Sequence, residues 1–442
     1  MQQKIPTVSF FSFLKKSQSI VKNPLPFHKE NFTKHGNTFR LSIGLGKSLI
    51  FTRDQGLARH MLQLQHKKYY KSPVQTDELG RYLGKGLLTS NGAHWLKQRR
   101  LIQPSFYKKK LEGIKSIIVE TISKELDRIE VDTEFDVFPL MSDLAFKVVG
   151  KSLFSYSNNE KVISRLQFIT EKIQQDLIKE VRQPFKKWWF VWSGKIAKTK
   201  ALSEEARNII QALIMERKAS QMEHNDLLDI LLNAQYEDDS KMQMEQLIDE
   251  ILILFVAGHE TTSNALVFTL QLLAKHPKEQ QKLFNEVRNA NASNSTMMAF
   301  FEAVPFTKKC IDEAMRLYPP AYFSDRTNIE EDVFEGCAIK KGSTILMSFF
   351  EIHRSPDFWD GPETYNPDRF DSTSKKELSN WFFPFGAGPR MCVGSNFAIY
   401  EMLVCVSEVV KKYEISPRFS EIEIKPLITL KPLNAILSFK KR

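Results

Sequence analysis

Cysteine is scarce in this sequence. Four residues in 442 (Cys310, Cys337, Cys392 and Cys405) show no spacing that pairs them. No Cys-x-x-Cys with downstream histidines is present, which argues against a zinc module, and sparse, unpaired thiols fit a reducing compartment. Gly/Ser linkers, low-complexity tracts and internal repeats are also missing, so one large domain over 1–442 is expected. The apolar run IPTVSFFSFL (5–14) is interrupted by Pro and Ser. It is too short to cross a bilayer, and no small-residue cleavage site follows it. These absences predict a cytoplasmic protein without a membrane anchor.

The composition is globular: 42% hydrophobic, 11% aromatic and 26% charged residues supply a large core. The net charge of +11, with a pI near 9.2, admits three readings: nucleic acid binding, a lysine-rich solvated surface, or steering of an acidic protein partner. The totals do not choose among them.

Along the chain, NTFRLSIG (37–44) and KSLIFT (47–52) alternate apolar and polar residues and are joined by Leu-Gly, which predicts a strand pair. A helix is expected from Asp54. Residues 69–92 are polar and Gly-rich and read as a long loop of the kind that carries function. From residue 93 apolar residues recur at helical spacing over 93–102, 107–128, 139–151, 160–180, 199–219, 243–275, 277–290, 305–318 and 395–412. Strands return over 337–349 and 424–440. The expected class is mainly α with a small β part, the β-rich regions being 37–52, 325–350 and 415–442. The aromatic stretch PFKKWWFVW (184–192) lies between two helices and reads as a lid, a channel wall, a platform for a sugar ring, or packing of a loop onto the body.

The helix over 243–275 has the wrong residues in its middle: Gly258-His259-Glu260-Thr261-Thr262. Glycine costs a helix interior about 1 kcal/mol relative to alanine. Threonines crowd the preceding turn or bond back to it, and a carboxylate in an apolar stretch needs partners or water. A kinked core helix with satisfied polar groups explains this, but a hydroxyl beside a carboxylate also makes a proton relay.

A second local conflict surrounds Cys392 in FFPFGAGPRMCVGSNFA (382–398). Gly386, Gly388 and Gly394 permit turns and close approach, Phe385 offers an aromatic cover, and a helix is expected just after. A thiolate near a helix start, with Arg390 beside it, is stabilised. It serves as a nucleophile or as a metal ligand, and without an accompanying general base one soft ligand suits haem iron. Burial as a small hydrophobe accounts for Cys310 and Cys405 but not for this spacing of Gly, Arg and Cys.

Phe385-Gly386-x-Gly388-x-Arg390-x-Cys392-x-Gly394, with Ala398, is similar to the haem-binding signature of the cytochrome P-450 monooxygenases. Ala257-Gly258-x-Glu260-Thr261-Thr262 resembles that family's oxygen-activation motif. Glu313-x-x-Arg316 followed by Leu-Tyr-Pro-Pro resembles its Glu-x-x-Arg helix, and Asn366-Pro-Asp-Arg369-Phe370 its Pro-x-Arg-Phe segment, with Asp368 where Glu is common. The motifs stand in the family's order and span nearly the whole chain. The resemblance implies a soluble, bacterial-type member with the family's fold, a long central helix over haem b and no fused reductase. Cys392 becomes the axial thiolate. Arg390, Arg326, Arg99 and Trp95 become partners of the haem propionates, carboxylates that suit fork-shaped cations and an indole N–H. Ala257 and Gly258 leave room over the haem, and Phe385, Gly386 and Gly394 shape the thiolate loop. Thr261 and Glu260 handle protons, His259 shapes the pocket or is structural, and Glu313, Arg316 and Arg369 form a structural charge cluster.

Electrons are then expected from a ferredoxin or flavodoxin with its NAD(P)H-dependent reductase, acidic carriers that give the positive charge a meaning, and the enzyme is expected to be a monomer without nucleic-acid partners. The 69–90 loop, the 160–200 region, the central helix and residues 321–324 are expected to line an apolar pocket, suited to a fatty acid or terpenoid, with O-demethylation of a methylated carbohydrate as the alternative. A peroxide-driven haem-thiolate enzyme and a non-catalytic haem sensor are the remaining readings.

Overall fold

The computed structural model describes residues 4–44, 46–154, 160–183, 186–220, 222, 224 and 226–442. Leu45 of the strand connection and Pro184 and Phe185 of the aromatic stretch lie outside them. The chain forms two compact units.

The first unit comprises Met1–Val74, Met315–Cys392 and Lys425–Lys431. Its frame is a six-stranded sheet of β1 (Thr7–Val8), β2 (Thr38–Gly44), β3 (Lys47–Thr52), β4 (Tyr69–Tyr70), β6 (Phe323–Asn328) and β9 (Thr344–Ser348), in the order β1-β2-β3-β9-β6-β4. β2 and β3 pair antiparallel as their alternation predicts, with Phe39 opposite Phe51 and Leu41 opposite Leu49. Phe39 and Phe51 stack 5.2 Å apart, over Phe27 and Phe32 of helix α2 (Leu25–His35). β3 runs parallel to β9, and β6 antiparallel to it with Arg326 opposite Ile345. β7 (Asp332–Phe334) and β8 (Cys337–Ile339) form an antiparallel hairpin in the same unit. Asp54 caps the expected helix, accepting the Leu57 N–H at 2.8 Å.

Two N-terminal elements depart from expectation. The run from residue 5 forms β1 and then an amphipathic helix, α1 (Phe10–Lys22), whose Ser9 N-cap accepts the Ser12 N–H at 3.3 Å. Its serines and lysines mask the helical period.

The second unit comprises Gln75–Ala314, Val393–Ile424 and Pro432–Arg442 and is mostly helical. It contains α3 (Gly92–Ile102), α4 (Lys115–Leu126), α5 (Val137–Leu153), α6 (Glu160–Arg182), α7 (Lys187–Trp192), α8 (Lys195–Ser220), α9 (Met244–Lys275) and α11 (Ser395–Lys412); α10 (Pro305–Leu317) ends just past its boundary. The helix expected over 107–128 is broken by a 3₁₀ turn at Glu112–Ile114. The expected 69–92 loop carries helical turns over Val74–Leu79 and Gly80–Leu83. Long-range bonds hold the second of these: Tyr82 donates to Glu180 at 2.7 Å. A small antiparallel sheet, ordered β10 (Tyr413–Pro417), β11 (Ile436–Lys441), β5 (Glu134–Asp136), closes the unit; short strands at Glu423–Pro426 and Leu430–Leu433 precede β11.

α9 is the spine of this unit. It packs most extensively against α5, with Phe255 stacked on Phe146 at 5.1 Å and on Phe154 at 6.3 Å. Among the described residues it alone is long and apolar enough to cross a bilayer, and 72% of that window is buried within the protein.

Candidate functional site

In the first unit the cysteine loop takes its shape from two glycines in the left-handed region, Gly386 at φ +71° and Gly388 at φ +69°. A Cβ on Gly388 would overlap the Leu62 carbonyl oxygen, so only glycine lets the loop rest on that backbone; around Gly386 the space is open. The Cys392 N–H donates to the Phe385 carbonyl at 2.9 Å and the Met391 N–H to Gly388 at 3.0 Å. This leaves the thiol exposed on an internally braced loop. Cys392 precedes Gly394, the N-cap of α11, by two residues.

Beside it lies a cationic cluster. Arg326 is buried on β6, and its Nη1 donates to the Asp325 carbonyl at 2.6 Å and to Ser324 Oγ at 3.1 Å. The Asp325 carboxylate accepts the Ser72 hydroxyl at 2.8 Å. Lys71 is half-buried by area but desolvated at its ammonium. Desolvation first, and then repulsion from Arg326 and Arg390, hold it well below the usual lysine range, against the pull of Asp325. Arg326 and Arg390 thus repel the Lys71 ammonium, and Asp325 attracts it. This grouping of basic side chains suits a ligand that brings two carboxylates, and the exposed sulfur suits a soft metal, so the residues present fit a haem. Sequence reasoning missed Lys71, which stands in no motif.

Arg316 and Arg369 meet at one backbone carbonyl, that of Thr364. Arg316 is fully buried and donates to the carbonyls of His353 at 2.8 Å, Pro362 at 2.7 Å and Thr364 at 3.2 Å. Arg369 donates to Asp360 at 2.7 Å and, at 3.1 Å, to the same Thr364 carbonyl. Both guanidinium groups lie over the Trp359 ring, 5.2 and 5.9 Å from its centroid. Glu313, one turn before Arg316 on α10, is fully buried, whereas Asp368 is exposed. His353, also missed, links this cluster to the cysteine loop. Its Nε2 accepts the Phe383 N–H at 2.8 Å. Burial, reinforced by Arg316 and Arg354, pushes its imidazole down to about 3, so it is neutral.

In the second unit, α9 stays helical through its irregular centre. Leu254, Ala257, Gly258 and Thr261, at positions i, i+3, i+4 and i+7, form a stripe that, with Glu260, is the incompletely buried part of the helix between Leu247 and Ala274. The Thr261 hydroxyl donates to the Ala257 carbonyl at 2.7 Å. Its proton is therefore engaged and its lone pairs remain to accept. Glu260 is half-buried. Gly258 has a packing reason of its own, since a Cβ there would lie 3.1 Å from Val149 of α5. His259 points into the core, with Nε2 2.9 Å from Ser142 Oγ and its ring edge-on to Phe146 at 5.1 Å.

On α3, Trp95 and Arg99 share one face. Trp95 is buried, and Arg99 is half-buried with Nε donating to Gln103 at 2.8 Å. Arg100 is exposed and pairs with Glu237 at 2.7 Å, which separates the two adjacent arginines.

A third missed feature fixes the loop after Gly84. Lys85 N–H donates to Asp249 at 2.7 Å and Leu87 N–H to Glu250 at 3.0 Å. Asp249 also pairs with Arg207 of α8. Gly86 admits this approach, since a Cβ there would lie 2.6 Å from Glu250 Oε2. Burial, the largest influence, pushes the Glu250 carboxyl up to about 7.

Comparison with known proteins adds a whole-chain context. A model of the family described as Cytochrome P450 matches residues 3–439. The cyclooctat-9-en-7-ol 5-monooxygenase of Streptomyces melanosporofaciens is 25% identical, over 91% of this chain and 87% of that protein. The cytokinin hydroxylase of Arabidopsis thaliana is 28% identical, over 94% and 82%. The crystal structure of the cytochrome P450DA heme domain shares the fold with a TM-score of 0.85 at 21% identity, over 100% of this chain and 98% of that one. Because the relatives come from bacteria, plants and animals, they identify a family and not a bacterial subtype.

Proposed function

The chain belongs to the cytochrome P450 family, and from that premise we propose a haem-thiolate monooxygenase that takes electrons from separate carriers and oxidises an apolar organic substrate. The bound haem supplies dioxygen activation, one oxygen atom entering the substrate and the other leaving as water. The chain's own residues hold, orient and deliver protons.

Cys392 offers its sulfur from a loop whose amides are already engaged, so ligation requires little rearrangement. Arg326, Arg390 and Lys71 neutralise carboxylates, and the family resemblance proposes Trp95 and Arg99 as further propionate partners. Thr261 accepts a hydrogen bond at Oγ1 because its own proton is held by Ala257, and half-buried Glu260 passes protons from solvent. Glu313, Arg316 and Arg369 support the loop.

The observation that carries this reading is the exposed thiol on a glycine-shaped loop whose Arg390 groups with Arg326 and Lys71. The apolar substrate is supported by the bacterial relative named for cyclooctat-9-en-7-ol; a fatty acid or terpenoid is the favoured class, ahead of a methylated sugar. The net charge of +11 supports an acidic ferredoxin or flavodoxin with its NAD(P)H-dependent reductase, serving a cytoplasmic monomer.

Two measurements test the proposal. The reduced protein should give a thiolate-type carbonyl absorption band that Cys392→Ser moves; an unmoved band removes the ligand assignment. Product should form with ferredoxin, reductase and NADPH and not with peroxide alone; the opposite result replaces dioxygen chemistry with peroxide chemistry.

A further inference from the structure

The first unit carries a cleft of about 230 Å³ that shares no lining residue with the cysteine loop. Its charged lining comes from Lys29 of α2, Arg53 just after β3, Glu351 of the short helix Phe349–Ile352, and Arg354 and Glu363 beyond that helix. Phe350 forms an apolar wall. Three cations meet two carboxylates, which leaves one positive charge over.

Two of these groups are buried and incompletely partnered. The Glu351 side chain is 7% exposed, and its nearest cation, Arg53 Nη1, lies 3.7 Å from Oε2, too far for a hydrogen bond. Its carboxylate accepts none among the described residues. Burial raises this carboxyl above its ordinary value, against the pull of Arg53, Arg354 and Lys29. The Arg354 side chain is 9% exposed. Its Nε donates to Glu363 at 3.1 Å and its Nη1 to the Phe350 carbonyl at 3.4 Å, with the guanidinium 3.7 Å from the centroid of the Phe350 ring. Among the described residues its Nη2 donates to nothing. Arg53 is fixed through Nε, which donates to Asn37 at 3.0 Å, and by Phe32, whose ring centroid lies 5.4 Å away. Lys29 is exposed and enters no ion pair among the described residues.

We propose that this cleft binds a small α-hydroxy or α-amino carboxylate. The ligand's carboxylate meets the open donors of Arg53, Arg354 and Lys29, and its neighbouring hydroxyl or ammonium donates to Glu351. Guanidinium groups held by ring contacts present their forks at little entropic cost and match a carboxylate in shape as well as charge. A buried carboxyl without a donor is costly, and a donor on the ligand removes that cost. Open donors on three side chains surround one open acceptor, so an anion with a single donor completes the site better than a cation or a plain anion does. The volume lies below the roughly 300–1,000 Å³ of drug-sized pockets, which selects a small acid over a nucleotide. The site is independent of the haem chemistry and of the oxidised substrate.

The test is titration calorimetry of the holoenzyme with an isosteric series, L-lactate, L-alanine and propionate, and with sulfate. L-lactate or L-alanine should bind saturably, and the tighter of the two identifies the donor as hydroxyl or ammonium. Propionate and sulfate, which bring no donor for Glu351, should bind about tenfold or more weakly. The melting temperature should rise with the concentration of the tighter acid, and the haem absorption band should not move. The surface variant Lys29→Gln/Arg53→Gln should weaken binding by about tenfold or more. Glu351→Ala should erase the preference over propionate. An unchanged reduced-carbonyl spectrum certifies that the variants fold, and the surface pair carries the test if Glu351→Ala does not. The proposal is overturned if neither acid binds at about 10 mM, or if propionate or sulfate binds as tightly, which would mark a plain anion patch. It is equally overturned if affinity survives Lys29→Gln/Arg53→Gln, or if binding shifts the haem band, which would place the acid at the haem.

Discussion

The Phe383 amide donates its proton to Nε2 of His353 at 2.8 Å, and the His353 carbonyl receives Arg316. One neutral, buried imidazole thus fastens the start of the cysteine loop to the arginine cluster. His353→Ala leaves a buried N–H without its acceptor and opens a cavity, a loss of about 2–4 kcal/mol. The expected result is a lower melting temperature and a shift of the reduced-carbonyl band away from its thiolate form. His353→Asn, which can still accept, should retain more of both. Because the folded imidazole titrates near 3, below the ordinary 6.5, its stabilising share is complete above about 6.5 and declines as pH falls toward 3.

Gly388 and Gly386 share a positive φ but differ in surroundings. Gly386→Ala should cost only the left-handed strain, about 1–2 kcal/mol, and keep its haem. Gly388→Ala adds the collision with the Leu62 carbonyl, so haem content per purified protein should fall severely. Equal haem content in the two variants would remove the close-approach argument.

Glu250 sets a pH dependence with the opposite sign to that of a salt-bridged acid. Its folded carboxyl titrates near 7, above the ordinary 4.5, so the folded state holds a proton that the unfolded state releases. Stability should fall as pH rises from about 4.5 to 7 and then level, by at most about 3 kcal/mol. Asp249, paired with Arg207, adds repulsion to the ionised form. Glu250→Gln keeps an acceptor for Leu87 and should flatten this part of the melting-temperature profile; a profile identical to the parent's would assign the slope to other groups.

Thr261→Ala removes the hydroxyl held by Ala257. The substrate-induced spin-state change should stay within roughly twofold, while product formed per NADPH drops by about tenfold or more, within the range of a lost proton-handling group. Thr261→Ser should recover much of the yield. Equal loss in substrate binding and yield would instead mark Thr261 as a pocket wall.

Where a residue's conformation depends on itself and its near neighbours, the sequence was readable. The central helix, expected over 243–275, spans Met244–Lys275, because its apolar residues and its end signals are local. The cysteine loop was readable because only glycine tolerates its backbone. Helix α1 was not, since its polar positions blur the period, and α7 was obscured by aromatics that suit several environments.

Amino-acid order alone determined the helical class, the glycine-dependent loop and the place of Cys392, since backbone preference and periodicity act over a few residues. Tertiary structure alone decided that His353 would hold Phe383, 30 residues away, and that Glu250 would hold Leu87, 163 residues away. It also brought Arg326, Arg390 and Asp325 within electrostatic reach of Lys71. Such partners are chosen by burial, which withholds water from a polar group until some distant residue replaces it, and no local pattern in the chain records which residue that will be.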